Sequence, residues 1–161
     1  MIPESHWRAL RCLSARLEAE GIAWAVTGSA GLALQGVACD VHDLDIQGDE
    51  ASVYAIERCF PGHVQQPVHF RRGEAIGSHF GILEIEGVRV ELMGGLQKRL
   101  PTGEWEPPVP VGELRRFVQV RGLHIPVLPL EHEYHAYLIM GRVAKAELIK
   151  RTIDQQRRVR E

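Results

Sequence analysis

A mixed β-sheet with flanking helices, of the α+β class, is the architecture this 161-residue sequence predicts. Three observations predict it. Helical and strand-like stretches interleave through the first sixty residues. The segment FGILEIEGVRVELM (80–93) alternates apolar and charged residues on both sides of Glu86-Gly87, as the two arms of a β-hairpin do. From Leu130 onward the pattern is helical. One domain is expected over 1–161, with 130–157 as its C-terminal helical segment, because chains of this length bury roughly two-thirds of the surface they expose when unfolded.

The elements follow in order. Trp7, Leu10, Leu13 and Leu17 recur at helical spacing before Gly21, which places an amphipathic helix over residues 5–20. Ile22 to Val26 (IAWAV) is an apolar run suited to a buried strand, ended by Gly28-Ser29. Ala30 to Gln35 is compact and helix-compatible, Gly36 closes it, and strand character resumes over Leu44 to Gln47. Asp49 is placed to cap a helix over 50–59 whose buried stripe is Val53, Ile56 and Phe60. After the hairpin, PTGEWEPPVPVGE (101–113) is dense in proline and glycine and reads as a surface loop. Phe117–Val120 and Leu123–Leu128 are two further strands turning at Arg121-Gly122, with Pro126 favouring a sheet edge. Two helices, 131–140 and 142–157, separated by Gly141, complete the chain.

Composition excludes several classes. With 45% hydrophobic and 25% charged residues, neither disorder nor a disulfide scaffold is indicated. Cys12, Cys39 and Cys59 are odd in number and lack CxxC spacing, so they are expected reduced and packed inside. No apolar run approaches the ~20 residues of a membrane span, and charges interrupt the N-terminal stretch where a signal peptide needs a hydrophobic region, so a cytoplasmic protein is expected. A net charge of −2, a pI near 6.4 and no basic–aromatic alternation give no nucleic-acid footprint. Residues 142–161 nevertheless hold seven Lys/Arg against three Asp/Glu, a basic helix able to meet an anionic ligand. His132 and His135 share a helix face without the HExxH pattern or cysteine partners that zinc would need. His42 and His79 are better placed to approach a ligand.

The chemistry lies in carboxylates. Side chains at i and i+2 of a strand face the same way, so Asp43 and Asp45 project together while Leu44 and Ile46 enter the core. If the VRVELM strand lies beside them, Glu91 joins the same polar face. Three clustered carboxylates repel unless cations compensate, and magnesium, with its preference for oxygen ligands, supplies that compensation. Gly28-Ser29, a strand end turning directly into a helix, offers backbone N–H groups and a hydroxyl to phosphate.

Gly28-Ser29, thirteen intervening residues and Asp43-Leu44-Asp45, with an acid on a later strand, resemble the G-S…D-x-D signature of the nucleotidyltransferase superfamily that includes DNA polymerase beta. VTGSAGLALQGV, VHDLDIQ, VRVELMG and IPVLPLEHEYHAYLIMGRVAKAE extend the likeness over nearly the whole chain, to small stand-alone prokaryotic members of unassigned substrate. The resemblance implies the nucleotidyltransferase fold, two Mg2+ ions held by Asp43, Asp45 and Glu91, and transfer of a nucleoside monophosphate from ATP or another NTP to a hydroxyl. It gives the nucleotide-side metal to Asp43 and Asp45, and the second metal and deprotonation of the acceptor to Glu91 helped by Asp45. The third carboxylate is Glu where Asp is common, and no Lys or Arg stands between Ser29 and Asp43. Positive charge for the triphosphate then falls to Lys98, Arg99 or the basic last helix. Independently of the resemblance, Arg142 and Lys145, with Arg71 and Arg72 as further options, could contact phosphates, since charge-assisted bonds to phosphate suit these side chains. A small molecule, a protein side chain and an RNA end all stay open as acceptor. The alternative is a non-catalytic member that binds a nucleotide or a partner protein, as an antitoxin-like component does. A homodimer could complete the cleft.

Overall fold

Helix α1 (Glu4–Ala19) forms where Trp7, Leu10, Leu13 and Leu17 line up, and all four are buried. The apolar run after it becomes β1 (Trp24–Thr27), which passes without a linker into α2 (Gly28–Leu34). β2 (Leu44–Gly48) leads to α3 (Glu50–Cys59), capped by Asp49, whose Oδ1 accepts the Ser52 N–H at 2.8 Å. A 3₁₀ turn at Pro61–His63 opens the meander β3 (Val64–Arg72), β4 (Ile76–Ile85) and β5 (Val88–Lys98). A single helical turn, α4 (Val111–Leu114), precedes the hairpin β6 (Arg116–Val120) and β7 (Leu123–Val127). α5 (Leu130–Ile139) and α6 (Val143–Arg160) follow. These elements come from a computed structural model that describes residues Met1 to Glu161.

The seven strands form one mixed sheet in the order β3-β4-β5-β2-β1-β7-β6. β2 runs parallel to β5 and β1 parallel to β7; the other neighbours are antiparallel. α1 and α3 cover one face, where Leu10, Leu13, Val53 and Ile56 pack with Leu44, Ile46, Val90 and Leu92 in the principal core. The other face is covered in two pieces. Leu32 of α2, Tyr137 of α5 and Ile149 and Ile153 of α6 make one cluster, while Val109 and Val111 close with Leu96 on Ala25 and Leu128. No helix is long and apolar enough to cross a membrane.

The structure corrects several expectations. VQQPVHFRR (64–72), for which the sequence sets no expectation, is an edge strand whose apolar residues do not alternate; its partner β4 organises it across two register shifts. Pro126 lies in β7, one strand in from the edge. β7 meets β1 only at Val127 and through the Leu128 N–H to Val26, past the proline, so the missing donor breaks no ladder bond there. The loop 101–113 ends in the first residues of α4. The three cysteines are free, as expected, but half-buried rather than inside.

β5 also departs from strict alternation. Its pairing with β4 runs through Phe80↔Met93 and His79↔Gly94, then resumes at Gly77↔Gln97 and Ile76↔Lys98, so β5 carries one extra residue. Gly95 adopts φ 59° within this bulge, a conformation natural to glycine. Side-chain parity reverses there. Glu91 and Met93 face a cavity before the bulge, and Leu96 and Lys98 face the same cavity after it.

Candidate active site

Parallel pairing of β2 with β5 sets Asp45 directly beside Glu91, and antiparallel pairing with β1 sets Thr27 on the other side of Asp45. Leu44 and Ile46, wholly buried on the far face, fix which way Asp45 points. The turn after Thr27 therefore comes against the Asp45 carboxylate. Gly28 has φ 65°, and a Cβ on it would stand 2.3 Å from Asp45 Oδ2, so conformation and space both require glycine. Ser29 Oγ accepts the His42 N–H at 3.4 Å, drawing the segment that carries Asp43 toward the turn. As the side chains stand, the acids are held by an arginine rather than gathered around a common centre. Arg89 donates to Glu91 Oε1 at 3.0 Å from its terminal nitrogen and lies 3.5 Å from Asp43 Oδ2 through Nε.

Burial pushes the Asp45 carboxyl up to about 7, and Glu91, Asp43 and Glu133 add to the shift. An acid so reluctant to ionise marks a place where positive charge is wanted. Asp43, Asp45 and Glu91 supply only carboxylate oxygen, which suits a hard divalent cation such as Mg2+. The residues present therefore fit the metal that the fold family implies.

Two cavities flank the carboxylates. The inner one, about 540 Å3, lies between β3–β5 and α5 and is lined by Thr27, Asp45, Glu91, Lys98, His132 and Glu133 among others. The outer one, about 440 Å3, is lined by Gly28, Ser29, His42, Asp43, Arg142 and Lys145 among others. Gly28, Asp45, Glu91, Tyr137 and Arg142 border both.

Glu133 is 3% exposed, and its Oε1 accepts the Thr27 hydroxyl at 2.7 Å. Burial pushes its carboxyl up to about 7 against the opposing pull of the Thr27 hydroxyl, Lys98 and the Gly28 N–H. His132 falls to about 4 through burial first, then the charges of Lys98 and His135. Burial also lowers Lys98, with Glu106 and Glu133 pulling the other way.

Gly28, Ser29, Asp43, Asp45 and Glu91 thus border one cavity, the outer one, without the three acids closing on a common centre. Lys98 joins them only through the inner cavity, and Arg99 does not: its Nε donates to the Gly103 carbonyl at 3.1 Å, and its backbone bridges to Trp105. Arg71 borders the inner cavity with its guanidinium 4.0 Å over the Phe80 ring, whereas Arg72 stacks on Trp105 at the same distance. His42 reaches the outer cavity. His79 faces the other side of the sheet, 2.9 Å from the Tyr54 hydroxyl and beside Glu50. Sequence reasoning missed Glu133, although a signal exists. Leu130, Glu133 and Tyr137 are the buried stripe of α5, and a glutamate on an apolar stripe is an anomaly worth following.

The description aminoglycoside-2″-adenylyltransferase belongs to the family model that matches residues 9–152. A candidate nucleotidyltransferase from Thermotoga maritima is 49% identical over 96% of each chain, with a TM-score of 0.83. Two more distant structures share the fold. Lincomycin-bound LnuA, a lincosamide antibiotic adenylyltransferase, is 11% identical with a TM-score of 0.55 over 92% of this chain and 98% of its own. An antigenic nucleotidyltransferase-like protein from Paracoccidioides brasiliensis is 15% identical with a TM-score of 0.50 over 91% and 74%. No curated protein matches the chain. With a family model spanning nearly its whole length and a mixed sheet that superposes on these structures, the chain belongs to the aminoglycoside-2″-adenylyltransferase family and has the nucleotidyltransferase fold.

Proposed function

We propose that the protein is a magnesium-dependent nucleotidyltransferase that moves a nucleoside monophosphate from ATP or another NTP to a hydroxyl acceptor, acting as one domain in the cytoplasm. The observation that carries this reading is the Asp45–Glu91 pair, pressed against the Gly28 turn and standing between two cavities. Two substrates need two approaches to one reacting atom, and the carboxylates border both.

Asp43, Asp45 and Glu91 are the residues that would hold Mg2+, which when bound neutralises phosphate charge and acidifies the acceptor hydroxyl. The outer cavity suits the triphosphate: Ser29 offers a backbone N–H and a hydroxyl, and Arg142 and Lys145 supply positive charge. The acceptor enters the inner cavity and presents its hydroxyl at Glu91. Glu91 takes the hydroxyl proton. The acceptor oxygen bonds to the α-phosphorus, the bond from that phosphorus to the bridging oxygen breaks, and pyrophosphate leaves with its electron pair. Arg89 neutralises Asp43 and Glu91 and would have to release them for those carboxylates to hold Mg2+.

A second reading, a nucleotide-binding member without turnover, draws on the same Arg89 contacts, which tie up the acid assigned as base. Release of pyrophosphate from NTP with magnesium, screened across hydroxyl acceptors, separates the two. Calorimetry tests the site itself: ATP should bind more tightly with magnesium, since the metal relieves repulsion between triphosphate and carboxylates. Equal affinity in both conditions refutes the site as drawn.

A further inference from the structure

We infer that Glu133 is a positioning residue for the nucleotide: through Thr27 it holds the Gly28-Ser29 turn in the place where that turn meets Asp45. The inference rests on the nucleotidyltransferase reading of the carboxylates and adds to the site a residue of α5 that acts through its neighbours.

A chain of side-chain hydrogen bonds carries it. Gln47 of β2 donates from Nε2 to Thr27 Oγ1 at 3.5 Å, and the Thr27 hydroxyl donates in turn to Glu133 Oε1 at 2.7 Å. All three residues are buried, and they come from β2, β1 and α5. The chain runs beneath the site. Gln47 shares a strand face with Asp45, two residues before it, and Thr27 leads directly into Gly28. Thr27 also stands at the N-cap position of α2, where a threonine hydroxyl ordinarily turns back onto its own helix, yet it makes no cap bond there. Its hydroxyl goes to Glu133 instead. A leucine would suit the buried stripe that Leu130 and Tyr137 form on α5, so a glutamate between them costs folding free energy that only its partners offset.

What the bond to Glu133 fixes is the rotamer of Thr27 and, with it, the backbone entering the turn. Space there is already exhausted, since a Cβ on Gly28 would stand 2.3 Å from Asp45 Oδ2. A small displacement of the turn therefore moves the Asp45 carboxylate on one side and Ser29, in the outer cavity, on the other. Transfer of a phosphoryl group depends on placement at this scale. Glu133 does not reach the triphosphate itself: it borders the inner cavity, whereas Ser29 and Lys145 border the outer one. Its influence on the nucleotide passes through Thr27.

Calorimetry of ATP with magnesium on the whole protein tests this, with thermal unfolding of every variant alongside. Glu133→Leu and Thr27→Val should each weaken ATP by roughly fivefold or more, as loss of one orienting hydrogen bond does. The double variant should bind no more weakly than the worse single one, because the same bond is removed once. Glu133→Gln keeps an acceptor and Thr27→Ser keeps a hydroxyl, so both should stay within about twofold of the wild type. Ile56→Val, in the core on the opposite face of the sheet, should lower the melting temperature and leave ATP affinity unchanged, which separates positioning from stability. Three results overturn the inference: affinity unchanged in Glu133→Leu and Thr27→Val, an equal loss in the two conservative variants, or a matching loss in Ile56→Val. If Glu133→Leu does not fold, Thr27→Val against Thr27→Ser decides. ATP that fails to bind the wild type refutes the nucleotide site, and the role of Glu133 falls with it. ATP that binds the wild type and every variant alike removes Glu133 alone.

Discussion

Replacing Asp45 with asparagine separates chemistry from folding. In the folded protein burial and neighbouring acids push this carboxyl from 3.8 up to about 7. The folded state therefore holds a proton that the unfolded chain has released, and stability falls as pH rises from near 4 through about 7. A shift of that size would be worth at most ~4 kcal/mol, and solvent reaching the half-buried carboxyl leaves about half, ~2 kcal/mol. Asparagine keeps the shape and does not titrate. In chelator above about pH 7.5, Asp45→Asn should melt higher by roughly 4–8 °C, with the gain almost gone near pH 4.5. Pyrophosphate release with magnesium and NTP should meanwhile fall by about two orders of magnitude or more, because the site loses a charge that the transition state needs. Paired thermal unfolding and pyrophosphate assays check both halves. An equal melting shift at both pH values, or a loss of stability, would show that Asp45 is a structural acid. Full turnover would move the chemistry elsewhere.

Other perturbations probe the same surroundings. Arg89→Gln removes the cation from Asp43 and Glu91; both partners are partly exposed, so metal-free stability should change by under ~1 kcal/mol while calorimetry shows tighter Mg2+ binding. Unchanged or weaker Mg2+ binding would mean that the arginine does not compete. Gly28→Ala forces a methyl onto Asp45 Oδ2 at a positive φ, and should lower stability by about 1–3 kcal/mol in urea unfolding and weaken magnesium–ATP binding together. A variant matching the parent in both would show that the turn relaxes freely. Thr27→Val deletes the hydroxyl that steadies the charged form of Glu133, so a loss of about 1–3 kcal/mol should deepen as pH rises through about 7, and a pH-independent loss would place the effect in packing.

Much of this architecture is legible in the chain, for physical reasons. Trp7, Leu10, Leu13 and Leu17 leave α1 a single apolar face, and Asp49 fixes the start of α3 through a cap that depends only on local spacing. Asp45 and Glu91 share a face because period-two alternation is obeyed over Leu44–Ile46 and Val88–Leu92. β3 was hidden because an edge strand with one exposed face needs little alternation, and its partner supplies its hydrogen bonds. Lys98 and Arg99 looked equivalent as neighbouring cations, but adjacent strand residues diverge, and only Lys98 meets the cavity. Glu133 carries no local signature of its role, because its partner Thr27 lies 106 positions away in sequence.

The extra residue in β5 reaches beyond geometry. Glu91 and Lys98 are seven positions apart, an odd number, and a regular strand would send them to opposite faces of the sheet. One left-handed residue, Gly95, which lines neither cavity, is what turns both toward the same cavity. A β-branched side chain there would resist that torsion and favour a straight strand, in which Gln97 turns inward and Lys98 outward. The wall would exchange a cation for an amide although no wall residue had changed. The lining of the inner cavity thus hangs on a backbone torsion at a residue outside it.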